Sequence, residues 1–225
     1  MLKDSNLSII TNFGCPYKCY FCISNSQSTK NVYTLTETTK LNIENLLNSG
    51  KYTRLSISGG GDPLYIHNES SDEISEFYKF IITLTNKLNI HLSIHTNYSK
   101  PSFKLKGLVK NFVVSVHKDD YKEKLLNWTK RCNNEYDIRF AYVIGYNDND
   151  LEIINNILNY LPYNSRLTLK QLDSKQIAEI KDFEKIMKLI ANNELIKFLP
   201  SGDYNTYYNL KDDKIYSRFK DINFN

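Results

Sequence analysis

The sequence lacks any long hydrophobic run. Its longest apolar stretches fall far short of the roughly 18 residues that a membrane-spanning helix needs. Residues 1–6 contain no basic segment followed by an apolar stretch, so the pattern of a secretory signal is missing as well. We therefore expect a cytoplasmic protein without a membrane partner.

A dense block of charge of one sign is also missing. The net charge is only +4, and the nearest approach to a basic cluster is the spaced set Lys100, Lys104, Lys106 and Lys110. Such spacing favours a solvated face over a nucleic-acid surface. With 41% hydrophobic residues the chain can bury a sizeable core, so disulfides or structural metals are not needed for its stability.

Cysteine is scarce, but its distribution is uneven. Of four cysteines, Cys15, Cys19 and Cys22 fall within eight residues. In a reducing cytosol, grouped cysteines are more often ligands or catalysts than disulfide partners. Cys132 stands alone on a predicted helix and is interpreted as an inert thiol.

Short apolar, β-branched runs alternate with segments of helical periodicity. Strands are predicted at residues 7–11, 54–58, 91–95, 112–117, 138–144 and 166–171. Helices are predicted at residues 37–48, 72–88, 104–109, 122–132, 150–161 and 183–192. Asp148 and Asp150 are candidate N-caps for the helix that begins near Leu151.

This alternation predicts parallel strands joined by right-handed crossovers. Six units are too few for a full eight-fold barrel, which typically needs about 250 residues. An open six-stranded sheet is either a doubly wound layer or a partial barrel. In both architectures the functional residues collect at the C-terminal ends of the strands.

The three grouped cysteines lie directly after the first predicted strand. Three thiolates on one tight loop can bind three corners of a cubane cluster, which leaves the fourth iron without a protein ligand. A zinc site needs a second ligand pair, but the next histidine is His67 and no such pair follows. A ferredoxin-type cluster needs a fourth cysteine, and Cys132 is distant. The spacing therefore favours the open-iron cluster over these two sites and over a chance grouping.

The spacing C-x3-C-x2-C, with the aromatic Phe21 before the third cysteine, resembles the cluster loop of radical S-adenosylmethionine (SAM) enzymes. This resemblance implies a [4Fe–4S] cluster on Cys15, Cys19 and Cys22, with SAM bound to the open iron beside Phe21. It further implies reductive cleavage of SAM to a 5′-deoxyadenosyl radical, which takes a hydrogen atom from a substrate. An electron donor such as flavodoxin or ferredoxin is then an expected partner.

Three consecutive glycines, Gly59, Gly60 and Gly61, follow the second predicted strand. Glycine lets backbone groups approach a ligand because no Cβ intervenes, although the same run is typical of a tight turn. The segment is similar to the glycine-rich motif that binds the amino group of SAM in this family. The resemblance implies that the glycines and Asp62 bind the cofactor, although Asp62 stands where the family usually has the longer Glu.

Later strand ends carry further positions that are similar to this family. Ser115 occupies a place from which the family often contacts the carboxylate or ribose of SAM, although it can equally be an ordinary strand residue. His117 faces the same side and either touches substrate or completes a hydrogen bond. Ile144 and Gly145 resemble the segment against which adenine stacks, and Gln171 belongs to a strand that resembles the last adenine-side strand.

Charged residues within the predicted strands are further candidates for function. Lys170, next to Gln171, is typical of a barrel mouth or a sheet edge. Arg139 is a candidate partner for a carboxylate, since guanidinium groups bind carboxylates well.

The alternation ends in residues 195–225, where two aromatic runs around a polar turn predict a hairpin or a covering flap. Tyr204, Tyr207, Tyr208 and Arg218 there either face the substrate or cap the barrel. We predict an α/β fold, a partial (β/α)6 TIM-type barrel in residues 1–194, with a Tyr-rich extension of the same domain, residues 195–225, that closes the barrel.

A compact single-cluster enzyme of this kind suits a nucleotide, a small metabolite or a peptide as substrate. One alternative is an activase that installs a glycyl radical on a partner enzyme. Another is a non-catalytic iron–sulfur or zinc-binding module. The glycine run and the six-unit alternation argue against the module, because simple metal binding needs neither.

Overall fold

Strands and helices alternate along the chain. The computed structural model describes residues 5–11, 13–17, 19, 22, 35–64, 72–99, 109, 111–131, 137–202 and 205–222. The strands within these residues are β1 (Asn6–Ile10), β2 (Arg54–Ile57), β3 (His91–Thr96), β4 (Asn111–Ser115), β5 (Asp137–Ile144), β6 (Ser165–Gln171), β7 (Ile196–Leu199), β8 (Asn205–Asn209) and β9 (Lys214–Tyr216). The α-helices are α1 (Glu37–Asn48), α2 (Asp72–Leu88), α3 (Tyr121–Arg131), α4 (Asp150–Tyr160) and α5 (Phe183–Ala191).

Local sequence explains where α1 forms. The side-chain oxygen of Thr36 accepts a hydrogen bond from the Thr39 amide at 3.1 Å, as an N-cap residue does. Ile43 and Leu47 then recur one turn apart, and both are buried. The helix therefore packs one apolar stripe into the core and leaves its other faces to solvent.

The chain divides into two compact units. Unit 1 comprises Met1–Thr96, Ser102–Asn111 and Asp203–Asn225. Its strands lie in the order β3-β2-β1-β8-β9, and all neighbours are parallel except the hairpin of β8 and β9. Ile9, Ile57 and Ile94 are register partners with no exposed surface, so they form one layer of the core.

Unit 2 comprises Asn97–Pro101 and Phe112–Gly202. Its strands β5, β6 and β7 are parallel neighbours. The strand β4 adjoins β5, and just beyond it the Val116 amide donates to the Ala141 carbonyl at 2.9 Å. Phe112 packs against the fully buried Trp128, with ring centroids 5.1 Å apart, and so attaches α3 to β4.

The α/β class is confirmed, with the mostly parallel strands of a partial TIM-type barrel. Each of the six predicted strands is present within two residues of its expected bounds. The helix predicted at residues 104–109 lies outside the described residues, Val109 excepted. The hairpin of the extension is present as β8 and β9. Closure of the barrel by the extension, and the boundary at residue 195, stay predictions.

The strand β7 is an addition to the predicted pattern. It has four residues, pairs in parallel with β6 and is followed by Pro200. A segment this short shows too little alternation to stand out in the sequence. Within the described residues, no helix combines the length and the apolar character needed to cross a bilayer.

Candidate functional site

The cysteine loop, residues 13–22, follows β1 in unit 1. Cys15, Cys19 and Cys22 are half-buried free thiols, and the Cys22 amide donates to the Cys19 carbonyl at 3.0 Å. Burial raises the pKa of the Cys15 thiol to about 11; a hydrogen bond from the Tyr17 amide opposes this rise, and the charges of Asp62 and the other cysteines add to it. A bound cation reverses this preference, because it stabilises the thiolate.

The donor set of this loop fits an iron–sulfur cluster, which takes cysteine thiolates as ligands. Within the described residues, no three His, Cys, Asp or Glu side chains converge as a preformed metal site. The fit therefore rests on the number, type and spacing of the thiols and not on converged sulfur positions. Phe21, the aromatic residue of the predicted motif, lies outside the described residues.

The glycine run, Gly59, Gly60 and Gly61, contacts the cysteine loop through backbone atoms. Gly61, with φ +134°, forms a parallel bridge with Gly14, and the next amide, that of Asp62, donates to the Gly14 carbonyl at 2.8 Å. A Cβ at Gly61 would lie 2.2 Å from that carbonyl oxygen, so no other residue fits. The two motifs singled out in the sequence therefore lie side by side.

The Asp62 carboxylate faces the protein interior. The residue is 2% exposed, and its Oδ1 accepts hydrogen bonds from the Leu64 amide at 2.9 Å and the Thr96 hydroxyl at 2.7 Å. Burial, followed by the Asp62 charge, raises the pKa of Tyr78, whose hydroxyl donates to the Pro63 carbonyl at 2.8 Å. Asp62 thus links the glycine run to the end of β3. Its predicted contact with the cofactor stays a prediction.

A hydrogen-bonded group in unit 2 connects the residues that follow β3 and β4. The buried ammonium of Lys124, on α3, donates to the Ser115 carbonyl at 2.9 Å and pairs with Asp120 at 2.7 Å. It also donates to the Asn97 side-chain oxygen, which lies 2.9 Å from His117 Nε2. An ammonium only donates, so it orients the amide oxygen towards the ring, and Nε2 is the nitrogen that carries the proton.

The surroundings of the His117 imidazole favour its neutral form. Burial, followed by the Lys124 ammonium, lowers its pKa, whereas Asp120 and Asp119 act in the opposite direction. Ser115, the predicted cofactor contact, is half-buried at the end of β4. Sequence reasoning identified Ser115 and His117 but missed Lys124, because no local pattern marks a lysine that reaches back from a helix to a strand end.

The predicted adenine-side residues Ile144 and Gly145 lie at the end of β5. The buried Asp150 carboxylate accepts hydrogen bonds from the Gly145 amide at 2.5 Å and the Tyr142 hydroxyl at 2.6 Å. Burial and this bond to Asp150 raise the pKa of Tyr142. Asp150 therefore supports the β5 turn, where Gly145 has φ +95°.

The N-cap interpretation of Asp148 and Asp150 is wrong. The helix α4 is preceded by Asn149, which makes no side-chain capping bond, and Asp150 is already the first helical residue. The Asp150 carboxylate accepts hydrogen bonds from Tyr142 and Gly145 of the preceding strand and turn, and it does not cap the helix.

Gln171, at the end of β6, uses both ends of its amide. It donates to the Lys175 carbonyl at 2.7 Å and accepts from the Ser201 amide at 3.1 Å. These bonds connect the two loops that follow β6 and β7. The predicted contact of Gln171 with the cofactor stays a prediction.

The predicted site residues divide between the two units. Unit 1 contains Cys15, Cys19, Cys22, Gly59, Gly60, Gly61 and Asp62, and unit 2 contains Ser115, Ile144, Gly145 and Gln171. In both units they follow the C-terminal ends of parallel strands, where α/β proteins place their chemistry. The chain thus has an α/β core with a cysteine loop after its first strand.

Comparison with known proteins identifies the class. Residues 9–142 match the Radical SAM superfamily. The chain therefore belongs to that family, whose enzymes use a [4Fe–4S] cluster and SAM as cofactors. Enzymes of this class need a reductant and a substrate. No curated protein matches the chain.

Solved structures of Streptococcus suis SuiB share the fold. SuiB bound to S-adenosylmethionine has a TM-score of 0.65 and 17% identity, over 97% of this chain and 61% of that chain. SuiB bound to its precursor peptide SuiA has a TM-score of 0.65 and 15% identity, over 98% of this chain and 60% of that chain. This chain thus spans about three fifths of the length of SuiB. At these identities the likeness extends to the fold alone.

Proposed function

We propose that this chain cleaves SAM reductively and uses the 5′-deoxyadenosyl radical to take a hydrogen atom from a substrate. The observation that carries the proposal is the backbone contact between Gly61 and Gly14. This contact places the proposed SAM-binding glycines against the loop of the proposed cluster ligands. A chain that only bound a metal would need no glycine run beside the metal loop.

Each proposed residue has a defined task. Cys15, Cys19 and Cys22 hold three irons, which leaves one iron for the methionine part of SAM. When bound, the cluster supplies the electron that splits the SAM sulfonium. The glycine run exposes backbone groups to the amino end of SAM, with Asp62 supporting the run from inside. In unit 2, the proposed contacts to SAM are Ser115, Ile144, Gly145 and Gln171.

The substrate to test first is a peptide. The SuiB fold has been solved with a precursor peptide bound, and this chain shares that fold over nearly its whole length. A flavodoxin or ferredoxin is the proposed electron donor. An activase would instead act on a glycyl-radical enzyme, so a partner protein that acquires a glycyl radical is the outcome that would favour this alternative.

The test is anaerobic reconstitution followed by reduction in the presence of SAM. We expect about four irons and four sulfides per chain and release of 5′-deoxyadenosine. Cys19→Ala should abolish that release, because only two cysteine ligands then remain in the loop. Product is measured by chromatography, and cluster content by iron analysis and electron paramagnetic resonance.

Cys132→Ala is the matched control, since it removes a thiol outside the cysteine loop. It should retain cluster content and 5′-deoxyadenosine release. Release that persists in Cys19→Ala, or a bound zinc ion in place of iron and sulfide, would overturn the proposal.

A further inference from the structure

Helices cover one face of the unit 2 sheet. On this face, the Tyr142 hydroxyl bonds Asp150 at the start of α4 at 2.6 Å. Leu169 is the register partner of both Tyr142 and Phe198, and Phe198 packs against Phe183 of α5, with ring centroids 5.5 Å apart. Side chains alternate along a strand, so the intervening residues of β5, β6 and β7 lie on the opposite face.

That opposite face carries a basic surface, which we define as Arg139, Arg166, Lys170 and Lys197. Arg139 and Arg166 are direct register partners. Lys197 pairs with Thr168, which separates Arg166 from Lys170 along β6. Neighbouring strands are about 5 Å apart and alternate residues about 7 Å apart, so Arg139 repels Arg166, and Lys197 repels both Arg166 and Lys170. Arg166 and Lys170 themselves are about 13 Å apart along β6.

The basic surface has little compensating negative charge in its own strands. Asp137 lies 3.7 Å from Arg139 and is the one carboxylate that β5, β6 and β7 contribute to this face. Directly opposed like charges destabilise a sheet. Within these three strands, the positive charge of four cations is therefore offset by one carboxylate.

Lys170 is the most unusual member of the surface. It is half-buried, and none of the described residues offers its ammonium a hydrogen bond or an ion pair. Burial lowers its pKa. Lys124 of the same unit shows the contrast, because its buried ammonium has three oxygen acceptors. A half-buried ammonium that has no protein acceptor can bind an anionic ligand without first breaking an ion pair.

We propose that Lys170, with Lys197 as its nearest cationic neighbour on the basic surface, binds an anionic oxygen group of the substrate, a carboxylate or a phosphate. Lys170 directly precedes Gln171, the last residue of β6, so it lies at the strand end where this fold carries its chemistry. A bound anion supplies the acceptor that Lys170 lacks and offsets its repulsion from Lys197, the nearest of the other three cations. This inference rests on the proposed function, since it concerns the substrate of the same enzyme.

The test measures the melting temperature of the reconstituted protein in phosphate, in glutarate and in chloride at matched ionic strength. An anion that binds the native state should raise the melting temperature by about 3–5 °C over chloride when present at ten times its Kd. A shift with phosphate alone assigns a phosphoryl group to the substrate, and a shift with glutarate alone assigns a carboxylate. Shifts with both assign the shared oxyanion chemistry.

Variants place the effect at Lys170. Lys170→Gln should remove the anion-induced shift, because it removes the ammonium that the anion binds. Lys170→Arg should retain the shift, since it retains the charge. Lys185→Gln is the matched control: Lys185 lies on α5, is 68% exposed and pairs with Asp182, and its loss should leave the shift intact.

Two results of the anion measurements alone would overturn the inference. One is a wild-type protein that responds to phosphate and glutarate no more than to chloride; the other is a Lys170→Gln variant that keeps the full shift. If saturating SAM removes the shift and Lys170→Gln loses SAM affinity in parallel, the ammonium serves the carboxylate of SAM and the inference also fails. Absence of 5′-deoxyadenosine release by the wild type would instead refute the proposed function, whatever the anion response.

Discussion

At the scale of single residues, one carboxylate has two candidate tasks. The motif assigns Asp62 to the amino group of SAM, whereas the structure directs its Oδ1 to the Leu64 amide and the Thr96 hydroxyl. Both donors would be buried without an acceptor if the carboxylate were lost, and each unsatisfied donor costs about 1–3 kcal/mol. Loss of these two buried hydrogen bonds should therefore lower the free energy of unfolding by a measurable amount.

We expect Asp62→Ala to lower the free energy of unfolding by about 3 kcal/mol, because it leaves both donors unsatisfied. Asp62→Asn keeps an oxygen at the same place and should cost about 1 kcal/mol. Urea unfolding followed by circular dichroism measures both. The exposed Asp148→Ala should change stability by less than about 0.5 kcal/mol.

An Asp62→Ala variant as stable as the wild type would show that the hydrogen bonds of Asp62 with Leu64 and Thr96 do not stabilise the fold. An Asp62→Asn variant that is stable but loses SAM affinity would show that the charge of the carboxylate serves the ligand. The two variants therefore separate support of the glycine run from contact with SAM.

At the scale of elements, the periodicity of apolar residues in the sequence predicted the helices and strands well. Residues 37–48 and 72–88 are predicted as helices and form α1 and α2 with the same bounds. The cysteine and glycine motifs were equally visible, since each lies in a few adjacent residues. Lys124 was not visible, because Ser115 and Asn97, which accept its hydrogen bonds, lie 9 and 27 residues away. Such contacts depend on how elements pack and leave no spacing in the sequence.

The junction of β4 and α3 makes stability depend on pH. The pKa of His117 is lowered by burial and then by Lys124, with Asp120 and Asp119 opposing. Below the unfolded-state pKa of about 6.5 the unfolded chain therefore binds more protons than the folded one. Stability is fully present above that pH and is lost as the pH falls towards the lowered folded pKa, with a limiting slope of about 1.4 kcal/mol per pH unit.

His117→Gln should reduce this loss of stability between pH 7 and pH 5, because the amide does not titrate. Urea unfolding at a series of pH values measures the slope. His91→Gln replaces an exposed histidine of β3 and should keep the wild-type slope. Equal slopes for His117→Gln and the wild type would refute the prediction.

At the scale of the whole molecule, the partner strand of the C-terminal hairpin could not be predicted. The sequence indicates a hairpin, but β8 has no local feature that selects β1 as its parallel neighbour. The two strands meet across a separation of 199 residues, where the Asn6 side chain donates to Asn205 Oδ1 at 2.9 Å. Edge strands offer unpaired backbone groups to many possible partners, so pairing is decided by the assembled core.

This pairing brings the end of the chain against the glycine run. The Phe219 ring packs edge-on against Tyr207, with centroids 5.5 Å apart, in a cluster with Ile10 and Ile222. A Cβ at Gly59 would lie 2.9 Å from the Phe219 ring, so the ring closes the space beside that glycine. The C-terminal residues therefore support one of the two proposed cofactor motifs.

We expect Phe219→Ala to lower the free energy of unfolding by about 2 kcal/mol. Removing a half-buried ring such as this one destabilises a protein less than removing a fully buried ring. The melting temperature should fall by about 4–8 °C, and SAM affinity of the reconstituted enzyme should fall because Gly59 loses its neighbour. Tyr163→Ala, at a residue 96% exposed, should change neither quantity. A Phe219→Ala variant that melts lower but binds SAM normally would limit Phe219 to packing, and one that melts like the wild type would refute its contribution to the core.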